Sequence, residues 1–169
     1  MLRALTASDE DDARAAHEEL AAEKFVFLLD LRDDEPWAAF IARVEKHCHG
    51  LDLPAGWVPA TLLVAEVDGQ LVGRVSIRHE LNEFLESVGG HIGYAVRPAF
   101  RRRGYATEML RQALVIARGV GVGRALLTCD VDNTASTHVI ERCGGTLENV
   151  IPGRDGTSAK RRYWIELTP

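Results

Sequence analysis

Two hydrophobic periods alternate along the chain, and together they predict an α/β protein. Residues 2–5 read as a short strand. Ser8 is the expected N-cap of a helix that runs on toward Glu23, because Asp9, Glu10, Asp11 and Asp12 suit the positive end of a helix dipole. A second helix is expected from Pro36 to His47, with Trp37, Phe40, Ile41 and Val44 at helical spacing. Residues 60–67 and 71–78 are β-rich and are joined by Asp68-Gly69, a pair that favours a tight hairpin. An irregular or helical excursion over 79–88 leads to Gly89 and Gly90, which open a strand from His91 to Val96; Pro98 ends it. A helix follows from Gly104 to Arg118, striped by Met109, Leu110, Ala113, Leu114 and Ala117.

Residues 125–129 form the next strand, and the order strand, helix, strand implies a right-handed crossover with a parallel pairing at the centre. The next helix is expected to start at Asn133, a good cap, and to stop at Gly144 and Gly145. Two last strands, 146–151 and 161–167, are separated by a turn-rich loop through Pro152, Gly153, Asp155 and Gly156. The sum is a mixed α/β sheet with helices beside it.

Composition narrows the function classes. The chain has 169 residues, which is the size of one domain spanning 1–169. A net charge of −5 argues against a general binder of nucleic acid or anionic membrane. No apolar run approaches the ~18 to 20 residues of a spanning helix, and the acidic start does not read as a signal peptide, so the expected compartment is the cytoplasm. Cys48, Cys129 and Cys143 are odd in number and lack C-x-x-C spacing, which suggests reduced thiols and no metal. His47-Cys48-His49 has metal-type ligands, but adjacent residues at a helix end diverge and no fourth ligand joins them. Gly119, Gly121 and Gly123 follow a helix and precede a strand, the reverse of a dinucleotide fingerprint. Trp37, Trp57 and Trp164 are expected in the core or in a pocket wall.

Against this acidic background, Arg97, Arg101, Arg102 and Arg103 cluster directly after a strand and before a helix that opens on Gly104 and Ala106. Such a turn offers unpaired backbone N–H groups and the positive end of a dipole, while small residues let an anion approach. Arginine at the start of a helix is otherwise unfavourably placed. An anion site is the chemistry this pattern serves.

The string Arg101-Arg102-Arg103-Gly104-Tyr105-Ala106 resembles the R/Q-x-x-G-x-G/A signature of the GCN5-related N-acetyltransferase (GNAT) superfamily. Residues 92–98 look like the fourth strand of that superfamily and its exit, and the block from Asn133 through Ser136 to Gly145 is similar to its N-x-x-A/S…E-k-x-G-f helix. Within the superfamily the chain looks most like a bacterial group that shares R-H-x-L-N and G-G-H-I-G-Y, here residues 78–82 and 89–94. The resemblance implies a mostly antiparallel sheet of about seven strands whose central parallel pair splays apart, with the pantetheine arm of acetyl-CoA added to the fourth strand. It implies cofactor contacts from Tyr94, Val96, Arg101, Arg102, Arg103, Gly104, Tyr105, Ala106, Thr107, Asn133 and Ser136. It also implies direct attack by an amine in a ternary complex, without a metal.

The chain departs from the family where many members carry a tyrosine that protonates the departing thiolate: Ile140 stands there, and Ser136 and Cys129 are the replacements to consider. Gly145 stands where an aromatic is common, which bears on packing. For the base that deprotonates the amine the candidate is His91, with His79 and Glu80 as alternatives, and each histidine also has an ordinary structural reading. Arg78, His79 and Asn82 are expected to line the acceptor cleft. The expected function is N-acetylation of a small-molecule or peptide amine. The rivals are an acyl-CoA-binding domain that has lost turnover and a transferase using another acyl-CoA. A homodimer is expected, dimers being the commonest symmetric assembly.

Overall fold

The computed structural model describes residues 1–153 and 158–167, so Asp155 and Gly156 of the expected last loop lie outside it. Among the described residues seven strands form two sheets. The first has the order β1 (Leu2–Arg3), β2 (Ala60–Val67), β3 (Gln70–Arg78), β4 (Ile92–Val96). The second has the order β5 (Arg124–Asp130), β7 (Lys160–Glu166), β6 (Thr146–Ile151). Every ladder among the described residues is antiparallel. The expected hairpin closes through Asp68-Gly69, with Val67 opposite Gln70.

Four α-helices among the described residues flank the sheets: α1 (Glu10–Ala21), α2 (Trp37–Cys48), α3 (Tyr105–Gly119) and α4 (Thr134–Arg142). The first start differs from expectation. Ser8 lies inside a 3-10 turn, Ala7–Asp9, and the cap position falls on Thr6. Asp9 fixes this start, because its carboxylate accepts from the Thr6 N–H (2.7 Å) and Oγ1 (2.8 Å) and pairs with Arg3 (2.7 Å). The 79–88 excursion ends in a π-helical turn, Leu85–Gly89. No helix among the described residues is long and apolar enough to cross a membrane.

Residues directly opposite on neighbouring strands share a face of the sheet. Val75, Ile77, Ile92 and Val96 pack under α3, where Met109, Leu110, Ala113 and Ala117 are buried. Leu62 and Val64 form the other core, with Leu20, Phe27, Trp37 and Phe40 from α1, α2 and the segment between them. On this second face Arg74 lies opposite Val64 and Ala95, and Ser76 lies opposite Leu62 and Gly93. A row of polar side chains therefore runs along an otherwise apolar layer, beneath the segment that joins α1 to α2.

Candidate active site

The two sheets meet at the start of β4 and then diverge. The His91 N–H donates to the Leu126 carbonyl (2.7 Å), and the Leu126 N–H donates back to His91 Nδ1 (2.9 Å). The Leu126 N–H is thus spent on the imidazole, and among the described residues no ladder joins β4 to β5, so the parallel pairing expected at the centre does not propagate. Gly90 makes the approach feasible: its φ is +65°, and a Cβ there would lie 2.5 Å from the Leu126 oxygen. Beyond this pivot no strand among the described residues pairs with the outer edge of β4, where Val96 O alone is taken, by Arg101 Nε (3.0 Å). Antiparallel bonding alternates, and since Arg97 N–H bonds to Val72 O while His91 O accepts from Arg78 N–H, the odd residues of β4 face β3. The N–H and C=O groups of Ile92, Tyr94 and Val96 therefore point toward the opening.

The strand-to-helix turn lies at the far end of β4. Arg102 (φ 63°) and Gly104 (φ 84°) both take left-handed conformations, which gathers successive N–H groups into a concavity. From Arg102 to Thr107 no backbone N–H finds an acceptor among the described residues, and Glu108 N–H is the first to close a helical bond, onto Gly104 O. A Cβ built on Gly104 would meet nothing within 4 Å, so the cradle is open to a ligand.

The four arginines divide their work. Arg97 pairs with Glu19 (2.7 Å), and Arg101 pairs with Glu23 (2.6 Å) while its Nε donates to Val96 O (3.0 Å). These two are struts that fasten the turn to the C-terminal half of α1 and its exit. Arg102 and Arg103 carry no carboxylate partner among the described residues, and Arg103 sits over the Phe100 ring. The turn opens into a cleft of about 760 Å³ that also reaches the start of α4. Val96, Arg101, Arg102, Arg103, Gly104, Tyr105, Ala106 and Thr107 line it. Arg111, Thr134, His138 and Arg142, not anticipated from sequence, line it too; the helical spacing of His138 and Arg142 was the available signal.

Three expected cofactor residues stand beside this cleft rather than in its wall. Asn133 caps α4 through Oδ1, which accepts the Ser136 N–H (3.0 Å). The Tyr94 and Ser136 hydroxyls meet at 3.0 Å, and burial pushes the Tyr94 phenol well above its usual range. Ile140, one helical turn beyond Ser136, is buried in the core. Cys129 is also buried, with Sγ 3.6 Å from Thr137 Oγ1.

His91 is buried, and its imidazole is held down to about 4, first by desolvation and then by the Arg78 charge. Because Nδ1 accepts from an amide, the neutral ring carries its proton on Nε2 and has no free lone pair. His79 Nε2 meets Thr61 Oγ1 (2.8 Å), and burial lowers its pKa; Glu80 is exposed. None of the three lines the large cleft.

Of the expected acceptor residues, Arg78 alone lines a second cavity, of about 230 Å³, on the α1–α2 side of the sheet. Asn82 braces its rim, accepting from the Leu85 N–H (3.0 Å) and donating to Gly56 O (2.8 Å). Trp57, expected in the core or in a pocket wall, lines it, together with Ser76 and Phe84.

A mixed α/β protein whose central strands part over an open, anion-ready strand-to-helix turn is the class this geometry defines. The model of the acetyltransferase (GNAT) family matches residues 13–145, and the chain belongs to that family. Among solved structures it is similar to yncA, a putative acetyltransferase of Salmonella typhimurium with its cofactor acetyl-CoA, at 16% identity over 99% of this chain and 94% of that one, TM-score 0.66. It is similar to a variant of spermidine N-acetyltransferase SpeG from Vibrio cholerae at 21% identity, over 99% and 95% of the two chains, TM-score 0.66. Mycobacterium smegmatis RimJ in complex with CoA-disulfide matches at 20% identity, over 98% and 80%, TM-score 0.70. At these identities the likeness is one of fold. No curated protein sequence matches the chain.

Proposed function

We propose that the protein is an acetyl-CoA-dependent N-acetyltransferase in which an amine attacks the thioester directly in a ternary complex. The observation that carries this reading is the row of unpartnered N–H groups from Arg102 to Thr107 beside the outer edge of β4. The turn suits a diphosphate, since its N–H donors and helix dipole are fixed before the ligand arrives. The β4 edge suits the amide-bearing arm, added as an extra strand. The thioester carbonyl then lies along β4, where an N–H of that edge donates to the oxygen as it gains charge.

In the transfer the neutral amine nitrogen forms the new C–N bond as the C–S bond breaks, and the proton that the nitrogen then sheds passes through water to the departing sulfur. No titratable side chain among the described residues stands out as base, so the proton leaves the amine through water. On the leaving side the Tyr94–Ser136 hydroxyl pair takes the place of the hydroxyl absent at Ile140. Burial holds the Tyr94 phenol above its ordinary value, so it serves as a hydrogen-bond donor to the thiolate, and water delivers the proton. A thiol titrating near ~8.5 makes this leaving group tolerable.

The absence of a tyrosine at Ile140 favours a second reading, an acyl-CoA-binding domain without turnover. A screen of primary amines for CoA release, run beside calorimetric binding of acetyl-CoA, separates them. Turnover with any amine supports the transferase, and tight binding without turnover supports the binding domain. No binding removes both.

A further inference from the structure

The second cavity has a chemistry that the cofactor cleft does not explain. Its walls are Leu29, Trp57, Val58, Ser76, Arg78 and Phe84, among other residues. Phe84 is 67% exposed and Trp57 is 40% exposed, so two aromatic rings are left partly in water at its mouth. Within lies a guanidinium with no anionic partner among the described residues. Arg78 Nη1 donates to the carbonyls of Gly89 (3.2 Å) and Gly90 (3.0 Å), while its Nε and Nη2 have no acceptor among those residues. Desolvation lowers its pKa. A charge withdrawn from water in this way is costly unless a counter-charge joins it.

The same guanidinium sits against β4, with Nη1 3.7 Å from where a Cβ of Gly93 would be. Arg74, on the same face of β3, is turned elsewhere: its Nε and Nη2 donate to the carbonyls of Phe27 (2.9 Å) and Val26 (2.5 Å). It ties the segment between α1 and α2 down over the sheet, and Arg78 is left as the cation of the cavity.

We infer that this cavity holds the acceptor, and that the acceptor is a small amine bearing a carboxylate and an apolar side chain, of which an apolar α-amino acid is the simplest form. The free Nε/Nη2 edge of Arg78 presents two parallel N–H donors, the geometry that a carboxylate matches with both oxygens. Ser76, buried at the cavity wall, adds a hydroxyl. Trp57, Phe84, Val58 and Leu29 offer the apolar side chain a surface. A volume of about 230 Å³ falls below the ~300 to 1,000 Å³ typical of drug-sized ligands, which limits the occupant to a small molecule. With the carboxylate anchored over Gly93, the α-amine is only two bonds away, beside β4. The inference rests on the acetyltransferase reading, in which the thioester lies along that strand.

The test uses thiol release from acetyl-CoA with sets of matched acceptors: L-phenylalanine, L-phenylalaninamide and phenethylamine, and the same three forms of L-leucine and L-methionine. At least one free amino acid is expected to exceed both of its uncharged counterparts tenfold in kcat/KM. Arg78→Gln is expected to reduce that ratio below threefold, acting through KM, and Arg78→Lys, which keeps the charge without the fork, gives an intermediate ratio. Should Arg78→Gln fail to fold, Arg78→Lys and Ser76→Ala carry the test, each expected to lower the ratio at least threefold. Equal or better turnover of the amide or the decarboxylated amine by the wild type overturns the inference, as does a ratio unchanged in the variants. Absence of turnover with every set in a protein that binds acetyl-CoA overturns it while leaving the cofactor site standing. Failure to bind acetyl-CoA strikes the acetyltransferase reading, and this inference falls with it.

Discussion

Both ends of β4 are electropositive, but they are made from different parts of the chain. At the C-terminal end the donors are backbone N–H groups from Arg102 to Thr107, with guanidinium groups around them. At the N-terminal end the donor is one side chain, Arg78, held by two carbonyls. Backbone donors tolerate many substitutions and suit a ligand that never varies. A single fork in a small cavity is removed by one substitution. The contrast explains why the turn is readable as a motif and the second cavity is not. His91 stands beside Arg78 at the N-terminal end, bonded through its backbone and its ring to Leu126 where the two sheets meet.

The largest effect is expected at this pivot. The folded-state pKa of His91, about 4, lies below its ordinary 6.5, so the unfolded chain takes up the proton first as pH falls. Stability from this group is complete above pH 6.5 and is lost as pH drops through 4. The loss is roughly 3 kcal/mol, because each tenfold difference in proton affinity between the folded and unfolded chain is worth about 1.4 kcal/mol. His91→Asn, whose Oδ1 can accept in place of Nδ1, should remove most of that acid loss. Urea unfolding at pH 7 and pH 4 for both proteins measures the difference, and an unchanged difference would break the assignment. The same pKa predicts no limb from His91 in the pH–rate profile above pH 5; a limb there that vanishes in His91→Asn would return His91 to the role of base.

Next in size is the leaving side. Tyr94→Phe removes the donor proposed for the thiolate, and with a hydrogen bond to a charged group worth ~1.5 to 3 kcal/mol, kcat should fall roughly 10- to 100-fold. Acetyl-CoA affinity, measured by calorimetry, should move much less. A fall in affinity with kcat preserved would assign Tyr94 to the cofactor cleft instead.

Smaller effects are expected from the arginines of the turn, and they sharpen the contrast between backbone and side-chain recognition. Arg102→Ala and Arg103→Ala should each weaken acetyl-CoA binding about three- to tenfold and flatten its dependence on salt, because exposed charges are screened. Arg101→Ala, which cuts a strut to Glu23 and Val96, should instead lower thermal stability with little change in the salt slope. The reverse pattern would show that Arg101 and not its neighbours faces the anion.

Much of this arrangement was legible in the sequence because it depends on local signals. The Asp68-Gly69 hairpin, the helix capped by Asn133 and the turn at Gly104 each follow from a few neighbouring residues. What the sequence did not reveal depends on contacts between distant segments. Arg97 and Arg101 looked like anion ligands until Glu19 and Glu23 were placed beside them. His91 looked free until Leu126 took its Nδ1. Arg78 and His79 read as one polar cluster, yet β3 ends at Arg78 and His79 turns to Thr61, so of the two only Arg78 lines the second cavity. Ser76, a buried hydroxyl in a strand of apolar residues, was the overlooked sign of that cavity.

The central claim is that the turn holds the diphosphate of acetyl-CoA through its backbone, and it is tested most directly by comparing CoA with phosphate-free pantetheine. Calorimetric titration of both into wild-type protein and Gly104→Val isolates the contribution of the turn. A valine at φ 84° strains the backbone and fills the open side of the cradle. The account predicts that CoA binds the wild type about a hundredfold or more tightly than pantetheine, equivalent to ~2.7 kcal/mol, and that the gap shrinks at least tenfold in a folded Gly104→Val protein. An equal gap in the two proteins would contradict it.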